Sequence, residues 1–235
     1  MEETATPIRL VMRNYFSTHL LYAARHLSDL AGTIEAGHQG QSRFDIEHRA
    51  YVLSSIQASA AFLEAMINEL FQDAYDNHVP PDGYITPLPA QTRQLMAELW
   101  RGTREGSTLH TVEKYQLLLV AAGRQRLDAG GQPCQDASLL LALRNAIAHF
   151  QPEDLSADDP AGMEKKLRPR NFPENQLMAG SGNPWWPDHC LGHGCSEWAH
   201  RAAEALADHV TDELGIEPNY RRHEKAGSFN GTRKP

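Results

Sequence analysis

The chain has 235 residues and a mass of 26.2 kDa, enough for one well-buried core with an elaborated loop but hardly for two domains. Hydrophobic residues make up 41% and the mean hydropathy is −0.52, a globular composition too apolar for disorder. Twenty-two Lys and Arg against 30 Asp and Glu leave a net charge of −8, the wrong sign for a sequence-independent DNA coater, whose affinity comes from many cations releasing counterions.

Helical periodicity runs through the chain, with no alternating β-branched run long enough for a strand. A first helix is expected over about Ile8 to Leu30, with Leu10, Val11, Tyr15, Leu20 and Leu27 inward, before Gly32, Gly37 and Gly40 open a loop. From Asp45 to about Asp76 there is neither Gly nor Pro. Ile56, Ala60, Leu63, Ile67, Leu70 and Ala74 step by fours and threes, which draws one apolar stripe down a bundle helix. Pro80, Pro81, Pro87 and Pro89 break the pattern; shorter helices follow at Gln91 to Trp100 and Thr111 to Ala122, then a turn region from Gly123 to Pro133. A fifth helix is expected over Gln135 to Phe150, stopping before Pro152. Residues 151–194 are rich in Pro and Gly and form a long irregular insert, of the length that is functional or disordered rather than a mere connection. Ser196 is placed to cap a last helix to Leu214 with Trp198, Ala202, Leu206 and Val210 on one face. Residues 1–215 thus read as a single helical domain, and 216–235, with Arg221, Arg222, Lys225, Arg233 and Lys234, as a loose basic tail.

Cys134, Cys190 and Cys195 are too few and too unevenly spaced for a disulfide framework, which suits a reduced compartment. The longest apolar run, Leu117 to Ala122, is far short of the roughly 20 residues of a spanning helix. The start MEETATPIRL lacks the apolar centre of a signal peptide, so the expectation is a cytoplasmic protein with no membrane partner.

The fifth helix carries the chemistry. Wound at 3.6 residues per turn, it turns Leu139, Leu143, Ala146, Ile147 and Phe150 to the core. The other side holds Leu141 and Ala148 in its middle, with Arg144 on one flank and Asn145 and His149 on the other. Arg144 is the only formal charge between Ala137 and Phe150, so this back face is not patterned for water and should meet another chain, a ligand or both. Asn145 and His149 share a side one turn apart, and Arg144 lies about 140° from His149 across the strip. Arginine offers a permanent charge and a planar fork for phosphate oxygens; histidine exchanges protons near neutral pH. Together with Asn145 as an orienting amide, they can cleave RNA without metal: His149 takes or gives the proton, and Arg144 stabilises the phosphorane. The plainer reading is a bundle or interface helix whose two polar residues bond their neighbours.

Arg144-Asn145-Ala-Ile-Ala-His149 resembles the signature of the HEPN superfamily (higher eukaryotes and prokaryotes nucleotide-binding), late in a helix of an all-α bundle. The run from Ala58 to Phe71, with Phe62, Glu64, Asn68 and Glu69, is similar to the early core helix of its members, and Cys195-Ser-Glu-Trp198-Ala to their closing helix. The likeness spans about residues 8–214, interrupted by the insert. It implies a HEPN-like bundle of about five to six helices. It implies too a metal-independent endoribonuclease, often a toxin or phage-defence effector, with no cofactor and no metal. Its composite site of Arg144, Asn145 and His149 would form between two copies and leave 2′,3′-cyclic phosphate and 5′-hydroxyl ends. A cognate antitoxin or regulatory protein is a further expected partner. The alternative is a non-catalytic module of the same fold that binds a nucleotide or a partner protein.

Other clusters carry weaker signals. Asp188, His189, Cys190, His193 and Cys195 have zinc's preferred donors but not the two separated pairs of a zinc finger, and read as a loop entering the last helix or as a metal-held docking element. Trp185 and Trp186 either stack on bases or, more simply, pin the insert to the bundle. Lys165, Lys166, Arg168 and Arg170 make a phosphate-contacting patch or a solvated charge run, and Glu64 and Asn68 are placed to support the motif helix.

Overall fold

The computed structural model describes residues 12–38, 40, 42–104, 109–152 and 162–227. Within them the fold is an all-α bundle: α1 (Ser17–Ala36), α2 (Ile46–Tyr75), α3 (Ala90–Arg104), α4 (Thr111–Ala121), α5 (Cys134–Ala148), the short α6 (Gly162–Leu167), α7 (His193–Leu214) and α8 (Asn219–Lys225). No strand occurs among the described residues.

The organising element is α2. The Asp45 carboxylate accepts from the His48 N–H (3.0 Å) and caps its start. The stripe from Ile56 to Ala74 is buried throughout, and so are Val52, Phe62, Met66 and Phe71, because α2 is covered on several sides by α1, α3, α5 and α7. Among the described residues α2 is the one helix long and apolar enough to cross a membrane, and these same side chains form the bundle core.

Helix α1 departs from expectation at both ends. The expected start at Ile8, with Leu10 and Val11, lies outside the described residues, and the helix runs on to Ala36 rather than ending near Leu30. Its buried face is Leu21, Ala24, Ser28 and Ala31, with Leu20 and Leu27 only half-buried. Small side chains face inward because α1 lies against α2 and α7 together: Ser55 Oγ donates to the Ala24 carbonyl (2.7 Å) and the Ser28 and Ser196 hydroxyls meet at 2.8 Å. Gly32 is therefore no loop opener; it sits inside α1, where a Cβ would stand 3.0 Å from the His193 ring. At the other end Phe16 and Ser17 donate their backbone N–H groups to Glu69 Oε1 of α2 (2.7 and 2.9 Å), so a carboxylate distant in sequence caps α1.

The insert is not a loose loop. Residues 153–161 lie outside the described part, but beyond them Leu167, Leu177, Met178, Trp186, Cys190 and Leu191 are all buried. Trp186, 3% exposed in the core, pins the segment to the bundle, while Trp185 stacks on Phe172 and its Nε1–H donates to Glu174 (2.7 Å), both within the insert. Helix α7 starts at His193 rather than at a Ser196 cap. Glu35 of α1 accepts from the His193 N–H (2.6 Å) and from His48 Nε2 (2.8 Å), and supplies the cap instead. The domain also continues past residue 215. Tyr220 of α8 is 1% exposed and packs edge-on against Phe62 at 5.4 Å, which anchors the first part of the expected tail; Arg233 and Lys234 lie outside the described residues.

Candidate active site

Helix α5 is delivered to the bundle by a braced turn. The Gln116 side chain of α4 donates to the Leu127 carbonyl (2.9 Å) and accepts from its N–H (2.8 Å), holding the chain just before α5 begins. Ala137, Leu139, Leu140 and Leu143 then bury against α2 and α7. The buried arc is centred nearer Leu140 than the periodicity suggests, because α5 packs against two helices instead of one.

The three motif residues lie at the far end of this helix. Arg144 is half-buried and its guanidinium reaches Glu64 of α2 at 3.7 Å, while Asn145 and His149 are exposed. The helix ends at Ala148, two residues earlier than expected. His149 takes a non-helical backbone (φ −112°, ψ 29°) and donates its N–H to the Asn145 carbonyl at 2.9 Å. That break turns Phe150 off the core face assigned to it, and it is 51% exposed. The back face is likewise shorter than its sequence pattern. Leu141 packs against the core, so the open part consists of Asn145, Ala148 and His149, with Phe150 beside them.

Of the two residues expected to support α5, only Glu64 does so. Asn68 instead accepts from Lys114 Nζ of α4 at 2.9 Å. The Arg144–Glu64 pair is long and its partners are 33% and 48% exposed, so it is worth at most about 1 kcal/mol. It orients Arg144 without binding it tightly enough to exclude a phosphate.

The His and Cys cluster does not converge. His193 Nδ1 lies 2.9 Å from the Ser28 carbonyl; His189 sits between Ser181 (3.2 Å) and Glu174 (3.6 Å); Asp188 accepts from Arg49 (2.9 Å) and Asn183 (2.7 Å). Cys190 and Cys195 are buried side by side, and burial, with the Cys195 thiol next, pushes the Cys190 thiol well above its ordinary value. Among the described residues no three His, Cys, Asp or Glu side chains are grouped to hold a metal ion. The basic patch of the insert is half spent as well: Arg168 pairs with Glu164 (2.6 Å) and lies over Trp185, and Arg170 pairs with Asp136 (2.7 Å), leaving Lys165 and Lys166 exposed.

Two kinds of residue escaped sequence reasoning. Glu35 and Glu69 act as caps for helices other than their own, a role with no local signature. Arg49, one turn before Leu53 on α2, carries no local signal of its own, yet its side chain is only 13% exposed and pairs with Asp188 of the insert (2.9 Å). Compared with known proteins, the chain matches no family model, no curated protein and no solved structure.

Proposed function

We propose that this protein is a metal-independent endoribonuclease whose active site forms where the α5 ends of two copies face each other. The observation that carries the reading is the concentration of Arg144, Asn145, Ala148 and His149 on the open end of one helix, with a small apolar residue at its centre. A helix end ordinarily solvated would show Lys and Glu there; this one shows a phosphate-binding cation, a proton carrier and an amide around a contact surface.

In the reaction one His149 imidazole removes the proton from a ribose 2′-hydroxyl, and that oxygen attacks the adjacent phosphorus. The P–O5′ bond breaks, and the leaving oxygen takes a proton from the imidazolium of the facing copy. Atoms balance without water: a 2′,3′-cyclic phosphate remains on one fragment and a 5′-hydroxyl on the other. Arg144 leaves its weak pairing with Glu64 and stabilises the charge that grows on the non-bridging phosphate oxygens. Asn145, one turn from His149, orients the imidazole or the phosphate. The likeness to HEPN proteins adds that such an enzyme serves as a toxin or defence effector under a partner's control.

A second reading rests on Glu64. A carboxylate next to Arg144 offsets the charge that a phosphorane needs without excluding a ligand, which suits a HEPN-fold module that binds a nucleotide or partner protein without cutting. The two part on one experiment: purified protein on total RNA and on a tRNA pool in EDTA, beside Arg144→Ala and His149→Ala. Cyclic-phosphate ends from the wild type, reduced at least about 100-fold in either variant, are the expected result. Cleavage that persists in His149→Ala, or requires a divalent metal, would overturn the ribonuclease assignment. Saturable nucleotide binding with intact RNA would favour the second reading.

A further inference from the structure

Arg144 does not stand alone over the outer face of α2. Glu64, Asn68 and Gln72 follow one another at intervals of four, so they form a row with one turn, about 5–6 Å, between neighbours. Glu64 meets Arg144 of α5 (3.7 Å), Asn68 accepts from Lys114 Nζ of α4 (2.9 Å), and Gln72 accepts from Trp100 Nε1 of α3 (2.8 Å). Three helices thus lend one side chain each to the same row. Ala61 and Ala65 lie half-buried beside it and keep its floor low. Past Asn68 the row opens into a hollow of about 390 Å³ bordered by Phe16, Asn68, Gln72 and Trp100, which leaves room for a strand to continue.

Lys114 has the character of a ligand-binding cation rather than a strut. Its ammonium lies 5.5 Å from the centre of the Trp100 ring and gives one of its three donors to the neutral Asn68 amide oxygen. The neighbouring acids are spent elsewhere: Glu113 accepts from the His110 N–H (2.9 Å), and Glu69 accepts from Phe16 and Ser17. A lysine that only tied α4 to α2 would gain more from a carboxylate. Here the side chain is held in place while its charge stays unbalanced. Arg144 and Lys114 therefore face the single carboxylate of Glu64, and the row is locally positive in a chain of net charge −8.

We infer that Lys114 holds the phosphate next to the one being cut, so that α2 sets the pitch at which an RNA strand crosses the end of α5. The one-turn step from Glu64 to Asn68 is close to the distance between neighbouring phosphates of an extended strand, and each position presents one cation. A phosphate contact carries no sequence information, so Lys114 supplies register and affinity rather than base choice. The inference rests on the ribonuclease reading for the phosphate that Arg144 takes, while strand binding by Lys114 is measurable without cleavage.

The test is fluorescence anisotropy of labelled 2′-O-methyl hexauridylate and hexaadenylate, which cannot form a cyclic phosphate, with the full chain in EDTA over a range of salt concentrations. Lys114→Gln should weaken both strands alike, by about 5-fold. It should also reduce the slope of log Kd against log salt by about 0.7, the share of one phosphate contact on a single strand. Lys114→Arg should restore affinity and slope. Weaker binding with an unchanged slope would make Lys114 a strut between α4 and α2 and overturn the inference. Unchanged affinity, a loss confined to one base, or no binding by the wild type would overturn it too. Lys114-dependent binding without cleavage of natural RNA would keep the strand track and remove the ribonuclease reading. Cleavage that Lys114→Gln leaves at the wild-type kcat/KM would do the reverse.

Discussion

A methyl group added at Gly194 would stand 2.3 Å from the Pro173 carbonyl oxygen and 2.9 Å from the Pro173 ring, atoms that cannot swing aside. Gly194→Ala is therefore expected to cost about 1–3 kcal/mol, as overpacking does, by prising the insert from the start of α7. Gly102 lies in α3 with nothing within 4 Å of an added Cβ, and Gly102→Ala should stabilise by about 0.5–1 kcal/mol through the lower entropy of the unfolded chain. Denaturant midpoints of the two variants should move in opposite directions. A Gly194→Ala protein as stable as wild type would mean that the insert does not pack as described. The sequence does not separate these residues: Gly32 looks like a turn and is a seat for the His193 ring, because its role depends on a residue far along the chain.

At the scale of the element, α2 was almost wholly legible and α5 only partly so. A thirty-residue helix without Gly or Pro, capped by Asp45, has one way to turn its apolar stripe, and the structure follows it. In α5 the motif was readable from its spacing, but its surroundings were not. The helix stops at Ala148, which moves Phe150 off the core, and Leu141 is drawn inward by packing. The surface available to a second copy is accordingly centred on Ala148. Ala148→Glu changes an exposed residue and should leave the thermal midpoint within about a degree of wild type, since surface substitutions cost little. Across a two-fold contact two such carboxylates would face each other and compete with phosphate for Arg144, so the variant should run as a monomer and lose cleavage about 10-fold or more. A dimeric, active Ala148→Glu would remove this face from the site.

Across the whole molecule, charge links elements that are distant in sequence. Arg25 of α1 pairs with Glu204 of α7 and Glu224 of α8, and His200 also bonds Glu204 (2.9 Å). Burial alone would raise the Glu204 carboxyl; the hydrogen bonds from Arg25 and His200 outweigh it and bring its pKa from 4.5 to about 2. A carboxylate whose folded pKa lies below its unfolded one stabilises fully above the unfolded value and loses that contribution as pH falls toward the folded one. Glu204 should thus contribute about 3 kcal/mol that disappears between about pH 5 and pH 2. Glu204→Gln should flatten that acid limb in denaturant unfolding followed against pH, and an unchanged limb would show that the cluster does not hold the three helices together. Glu69 acts with the opposite sign: burial raises its carboxyl despite the bonds from Ser17 and Phe16, so its ionised form costs stability that protonation relieves as pH falls through the folded pKa.

Local periodicity sufficed for the all-α class, the central helix with its buried stripe, and the chemical character of Arg144, Asn145 and His149, because each depends on residues within a few turns of one another. Tertiary packing alone decided the rest. It chose which side of α1 is inward, since two helices meet there and favour small side chains. It made Glu69 and Glu35 the caps of α1 and α7, and drew His189 and His193 to partners away from the Cys190–Cys195 pair. Each of these is a contact between segments tens of residues apart, and a contact of that kind acquires its energy only when the intervening chain has folded.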